Sequence, residues 1–303
     1  MVPVYNSQET LRPLVTRLKN TVQSCADVFE IILVNDGSRD NSWQVIEELV
    51  EKFEFVTGLC LMRNYGQHNA LLAGIRSARY EVVVTIDDDL QHPPEEIGKL
   101  LEKLNDEYDV VYGTAQTEQH GLWRNLASRI TKIALRSVMN VEMARNVSAF
   151  RVFRTFLRDS FADYRGTYPS IDVLLTWGTK RFGCVPVTHM LRQTGTSNYT
   201  FAKLVIHAIN MATGFSTLPL RIASVVGFSF TLFGVFVLVY VVSRYLMAGT
   251  PVAGFPFLAS IIAIFSGVQL FSLGIIGEYL ARMHLRLMDR PSYVIREKRE
   301  HSK

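Results

Sequence analysis

Cysteine is scarce. Cys25, Cys60 and Cys184 are the three in 303 residues, and their spacing is neither paired nor metal-like. That scatter excludes a disulfide scaffold and fits a reducing compartment, with no chemistry assigned to the thiols. Charge of one sign is also missing. Lys and Arg number 32 against 28 Asp and Glu, a net charge of +4, while hydrophobic residues reach 48%. A disordered chain does not have that balance. Internal repeats and low-complexity segments are absent. No apolar run precedes Arg12, Arg17 and Lys19, so no signal peptide is expected.

What is present is apolar sequence concentrated near the C-terminal end. Mean hydropathy is +0.14. Ile222 to Val242 is 21 residues without a charge, and Val252 to Gly277 is 26 more. A membrane span needs about 20 residues, so each run is long enough. Between Ala281 and Lys303 there are seven Lys or Arg against three Asp or Glu, whereas Ser243 to Pro251 holds only Arg244. By the positive-inside rule, the tail and the N-terminal domain face the cytoplasm and the short loop lies outside. A basic segment beside a membrane points to anionic head groups rather than nucleic acid; the plainer reading is a topology signal alone.

The first 112 residues alternate apolar runs with amphipathic stretches. Strands are expected at Glu30 to Val34, Val56 to Leu61, Val82 to Ile86 and Asp109 to Tyr112. Helices are expected near Gln8 to Ser24, Ser42 to Lys52, Gln67 to Ala78 and Pro94 to Asn105. This alternation predicts βαβ units around a mostly parallel sheet with buried strands. Met1 to Tyr5 reads as the end of a first strand, either trimmed or unusually short. Further on, Phe201, Leu204, Val205, Ala208, Ile209, Met211 and Ala212 recur at helical spacing just before the first apolar run. An amphipathic helix there lies in the membrane interface or packs on the soluble domain.

The sharpest chemical signal is Asp87-Asp88-Asp89-Leu90-Gln91-His92-Pro93-Pro94, directly after an apolar strand. Ligands of open α/β sheets bind beyond the carboxyl ends of strands. Alternation puts Asp87, Asp89 and Gln91 on one side, an oxygen set suited to a hard divalent ion holding phosphates; the plainer reading is a solvated turn. Asp36 closes another strand, and Tyr5-Asn6 and Asn64-Tyr65-Gly66-Gln67-His68 end two more, so four strand ends carry polar or aromatic groups on one rim.

In order along the chain, Val2-Pro3-Val4-Tyr5-Asn6, Asn35-Asp36-Gly37-Ser38, Asn64 to His68 and Asp87 to Pro94 resemble the motifs of family 2 glycosyltransferases. Gly277-Glu278-Tyr279-Leu280-Ala281-Arg282, Arg290-Pro291-Ser292-Tyr293 and the two spans resemble its polyprenyl-phosphate branch. The resemblance implies a GT-A-type, Rossmann-like α/β domain over 1–199. A juxtamembrane helix (200–220), two transmembrane helices (221–280) and a basic cytoplasmic tail (281–303) would follow. It also implies an inverting enzyme of the cell envelope, moving one sugar from a nucleotide diphosphate sugar to polyprenyl (undecaprenyl) phosphate. The donor is preferentially UDP-linked, by resemblance to the branch's glucose and aminoarabinose enzymes. Magnesium or manganese (Mg2+ or Mn2+) serves as cofactor, and a homotetramer packed through the spans is implied.

Carried over by position, Pro3, Tyr5, Asp36 and Asp87 hold the nucleotide, and Asp87, Asp89 and Gln91 the metal. Asp88 stands where the family usually has alanine, so its acid reads as incidental, and His92 as a helix-start residue. Arg124, Arg192 and Ser197 match the acceptor-phosphate positions. Asn198 replaces the usual Lys, and Arg145 the Asp proposed as general base. Asp89, Arg124, Arg145 and Arg192 form the catalytic set. A phosphate monoester has its second pKa near 6 and is already a dianion at neutral pH, so charge balance replaces the base. Arg145 then either binds acceptor phosphate or marks altered activity. Two alternatives compete. A processive polysaccharide synthase would carry Gln-x-x-Arg-Trp and more spans, neither of which occurs. A catalytically impaired scaffold would account for Arg145 and Asn198.

Overall fold

Strands buried on both faces need apolar side chains at every position, and the runs noted above fold in that way. The computed structural model describes residues 1–115, 147–166, 168–190, 213–214, 217–248 and 254–301. Its first half runs β1 (Val2–Val4), α1 (Leu11–Gln23), β2 (Ile31–Asn35), α2 (Ser42–Lys52), β3 (Val56–Leu61), α3 (Gln67–Ser77) and β4 (Val82–Thr85). A 3₁₀ turn (Pro94–Glu96) leads into α4 (Ile97–Lys103), followed by β5 (Val110–Ala115) and β6 (Arg151–Arg154). A second 3₁₀ segment (Thr155–Phe161) then precedes α5 (Ile171–Gly178) and β7 (Phe182–Val187).

β1, β2 and β3 pair in parallel, as expected from the alternation. Side-chain parity divides the core into two. Ile32 and Val34 join one cluster with Leu71, Leu72 and Ile75 of α3. Ile31 and Leu33 join the other, with Leu14 of α1, Ile46 of α2 and Leu100 of α4. Each fully buried aliphatic side chain contributes about 1.5–3 kcal/mol, so a one-residue slip of β2 would forfeit both sets at once.

The sheet is mixed rather than mostly parallel. β6 runs antiparallel to both β4 and β5, and β7 is parallel to β5. β6 carries Arg151, whose guanidinium is 2% exposed and ion-paired with Asp172 in the first turn of α5. The Tyr112 hydroxyl donates to the same carboxylate at 3.0 Å. A charge buried this deeply persists only when paired and hydrogen-bonded, so the pair fixes where α5 sits on the sheet.

Two long helices follow, α6 (Leu218–Ala248) and α7 (Phe255–Leu287). The segments Leu218–Arg244 and Ile264–Leu287 are long and apolar enough to cross a membrane. The helices touch through an edge-on ring pair, Phe230 and Phe265, with centroids 6.0 Å apart. The amphipathic segment 201–212 lies outside the described residues.

The tail expected from residue 281 is not a free extension. Helix α7 continues to Leu287, and β8 (Ile295–Arg299) then pairs antiparallel with β3. The Ser292 hydroxyl donates to the Gly166 carbonyl at 3.0 Å, and the Met62 N–H to that of Val294 at 2.9 Å. Tyr293 packs against the α3-side core. The chain therefore leaves the sheet domain, runs out and back through two helices, and returns to the same sheet.

A chain ending at Asp289 loses β8 and the Tyr293 contact and bares the edge of β3, a template for aggregation. A loss of about 2 kcal/mol lowers the melting temperature by about 4–8 °C. Thermal unfolding of the detergent-solubilised protein checks this; an unchanged midpoint would show that β8 adds nothing to stability.

Candidate active site

The place where strand order reverses defines the crevice of an open α/β sheet. Here it lies between β1 and β4. The Met1 amine donates to the Val84 carbonyl at 2.8 Å, and the Ile86 N–H donates to that of Met1 at 3.2 Å. These bonds join the two four-stranded ladders, with β2 and β3 on one side of β1 and β4, β6, β5 and β7 on the other.

Both loops at this point are strained. Asn6, after β1, has φ 56°, and Leu90, after β4, has φ 59°. The left-handed region is unusual for leucine; Leu90 is held there by burial in the core. Its conformation turns the chain sharply after the three carboxylates.

The three carboxylates take different partners. Asp88 turns inward and accepts hydrogen bonds from the Tyr5 N–H at 3.2 Å and the Ser7 hydroxyl. It is a clamp between the two loops rather than an incidental acid. Burial raises its pKa, and the Ser7 and Tyr5 donors oppose that rise. The Gln67 side-chain amide donates to Asp87 at 2.7 Å, and the Gln91 N–H donates to Asp89 at 3.1 Å. The Gln91 carbonyl accepts from the Met190 N–H at 2.8 Å, fixing that residue's backbone.

Asp36 is only 3% exposed. Its two oxygens accept the backbone N–H groups of Tyr65 and Gly66 at 2.7 and 2.8 Å, which tie the β3–α3 loop to the end of β2. Gly37 makes the approach possible: it has φ +65°, and a Cβ there would sit 2.5 Å from the Arg63 and Asn64 backbone. Burial pushes the Asp36 carboxyl up to about 6, against the pull of those two donors.

Pro3 is buried in β1, in register with Val34. Tyr5 is half-buried at the rim. His92 is not a helix cap: Pro93 precedes the 3₁₀ turn, and the imidazole stacks on Phe150 at 5.3 Å and meets His189 edge-on at 4.9 Å. Burial, then His189, lowers its pKa to about 4, so it is neutral at physiological pH. Arg124, Arg145, Arg192 and Ser197 lie outside the described residues.

The sequence signals missed Ser7 and the Arg151–Asp172 pair, and placed Gln67 on the rim without its bond to Asp87. Strand parity was the one available clue, because it separates Asp88 from its neighbours. The loop after β4 carries oxygen donors on Asp87, Asp89 and Gln91, the chemistry a hard divalent ion takes. No group of three His, Cys, Asp or Glu side chains that could hold a metal occurs among the described residues. An ion here would take two carboxylates and fill its other positions from amide and ligand oxygens, a set these residues fit.

Residues 1–165 match the family described as Glycosyl transferase family 2. The chain belongs to that family. It is also 34% identical to the undecaprenyl-phosphate 4-deoxy-4-formamido-L-arabinose transferase of Pseudomonas savastanoi, over 97% of this chain and 88% of that protein. The proteins of the same name from Pseudomonas fluorescens and Shewanella sediminis are 35% and 32% identical, over 97% and 98% of this chain and 87% and 91% of theirs. Among solved structures, glucosyl-3-phosphoglycerate synthase of Mycobacterium tuberculosis is similar at 15% identity and a TM-score of 0.49, over 70% of this chain and 75% of that one. The rim described above is thus the candidate active site of a glycosyltransferase.

The raised Asp36 pKa has a signed consequence for this glycosyltransferase. An acid whose pKa is about 6 when folded and near 3.8 when unfolded binds its proton more tightly in the fold. Stability from this group is present below the unfolded value and is lost as pH rises through about 6, by on the order of 2–3 kcal/mol. Asp36→Asn removes this slope, although one backbone N–H loses its acceptor. Denaturant titrations of both proteins at about pH 4.5 and about pH 7 check it; identical pH dependence would mean that Asp36 ionises freely.

Proposed function

We propose that this glycosyltransferase moves a single sugar, with inversion, from a nucleotide diphosphate sugar to polyprenyl phosphate at the cytoplasmic face of a membrane. The donor is UDP-linked. The carrying observation is the pair Asp87 and Asp89 after β4, at the strand-order reversal, in a chain aligned nearly end to end with undecaprenyl-phosphate sugar transferases. The basic residues after α7 support the cytoplasmic orientation. Because β8 joins the sheet of the N-terminal domain, both outer ends of the helix pair lie on one side.

Magnesium or manganese, held by Asp87, Asp89 and Gln91, would neutralise the leaving diphosphate. Tyr5 borders the nucleotide, and Asp36 acts mainly by holding the Tyr65–Gly66 loop beside it. Arg124, Arg192 and Ser197 receive the acceptor phosphate. That phosphate is a dianion at neutral pH, so no general base is required and Arg145 supplies charge balance. The division into a sheet domain to residue 199, a juxtamembrane helix and two spans belongs to the same reading.

Asp89→Ala should abolish transfer while the protein stays folded and membrane-bound. Transfer of labelled sugar into a lipid-phosphate fraction, with manganese at saturation, measures it; full activity would sink the metal assignment. Arg192→Ala should raise the KM for lipid phosphate by about 10- to 150-fold with little change for the nucleotide sugar, the loss of one charge-assisted bond. Equal effects on both would move Arg192 to the diphosphate side. Arg145→Asp should lower transfer at neutral pH more than Arg145→Ala, because it sets an anion beside a dianion. A gain would favour the impaired-scaffold reading.

A further inference from the structure

The end of α7 meets the sheet domain in a cleft lined by arginines and tyrosines. Its walls are Tyr164, Arg165 and Tyr168 on one side, and Gly214, Arg282 and Arg286 on the other. Two of the guanidiniums are anchored: Arg282 to Glu278 at 2.7 Å, and Arg165 to Asp289. Arg286 makes one long bond, to the Gly214 carbonyl at 3.5 Å, and no carboxylate pairs with it among the described residues. The Tyr164 phenol is pushed up by burial while the charges of Arg286 and Arg282 oppose the rise, so both cations act on this half-buried ring.

Two features place the cleft at head-group depth. Arg282 and Arg286 occupy the last turns of a helix apolar enough to span a bilayer. Tyr168 and Trp177, beside the cleft, are 55% and 50% exposed, and Trp177 contacts Tyr164 edge-on. Exposed Tyr and Trp flanking an apolar helix mark a membrane interface. The wall is also rigid, because Arg76 donates to the carbonyls of Ala162 and Tyr164, each at 2.7 Å.

The cleft is linked to the acid rim by a short path. Tyr168 lies three residues before Ile171, whose N–H reaches His68 Nδ1 at 3.4 Å, and the adjacent Gln67 bonds Asp87. We propose that this cleft binds the phosphate group of a membrane lipid, with Arg286 as the principal cation and Arg282 and Arg165 as its flanks. The inference rests on the reading of the enzyme as a lipid-phosphate transferase. The lipid is either the acceptor, held at the membrane before it reaches the rim, or a resident anionic phospholipid.

The test uses the full chain in phosphatidylcholine nanodiscs carrying polyprenyl phosphate, phosphatidylglycerol or neutral polyprenol, with bound lipid counted by native mass spectrometry. Arg286→Ala should weaken retention of phosphate lipid about tenfold or more and leave polyprenol unaffected, and Arg286→Lys should recover part of the loss. If polyprenyl phosphate alone is lost, and its KM rises with the donor KM unchanged, the acceptor occupies the cleft. Loss of phosphatidylglycerol identifies a resident head group. Retention of both phosphate lipids at the parent level, or equal loss of polyprenol, overturns the proposal. The binding count needs no turnover, so a protein that transfers no sugar would defeat the enzymatic reading without deciding this one.

Discussion

The two-sided pairing of β1 is the constraint on which the molecule depends. This strand has three residues, yet it bonds β2 along one edge and meets β4 along the other through Met1. Because strand order reverses there, the loops after β1 and β4 diverge and leave a crevice between them. The Asp88 carboxylate, bonded to Tyr5 and Ser7, keeps those loops at fixed separation. Strain at Asn6 and Leu90 is tolerated because burial and these bonds over-determine the turn.

Four carboxylates around this point take different partners. Asp36 and Asp88 face inward, take backbone and hydroxyl donors, and have raised pKa values. They bond the Tyr65–Gly66 loop and the Tyr5–Ser7 loop. Asp87 and Asp89, both in the loop after β4, accept from the Gln67 amide and the Gln91 N–H respectively. The rim is therefore acidic and pre-shaped before any ligand arrives, which is what electrostatic preorganisation requires.

The apolar helices do not hang from the domain by a single connection. β8 returns the chain to the β3 edge, and the Arg290–Val294 segment packs beside Gly166 and Met62. The sheet is thereby held from both ends of the helix pair. An enzyme with one water-soluble and one lipid substrate needs such a link, because a misplacement of about 1 Å between reacting groups can cost on the order of a hundredfold in rate.

The sequence alone determined the alternating strands and helices of the first 112 residues, the two apolar spans and the placement of the acid motif after a buried strand. Each is a local pattern: continuous apolar runs, helical spacing, length, and alternation that separates Asp88 from Asp87 and Asp89. Tertiary structure alone decided the rest. β6 contains Arg151, which is tolerable in a core only because Asp172 and Tyr112 meet it from distant positions. β8, Ile-Arg-Glu-Lys-Arg, has no apolar pattern, because an edge strand is held by backbone hydrogen bonds that no side chain announces. The inward roles of Asp36 and Asp88 were likewise hidden. Their partners are main-chain N–H groups and a hydroxyl from other loops, and only the folded sheet brings these within 3.2 Å.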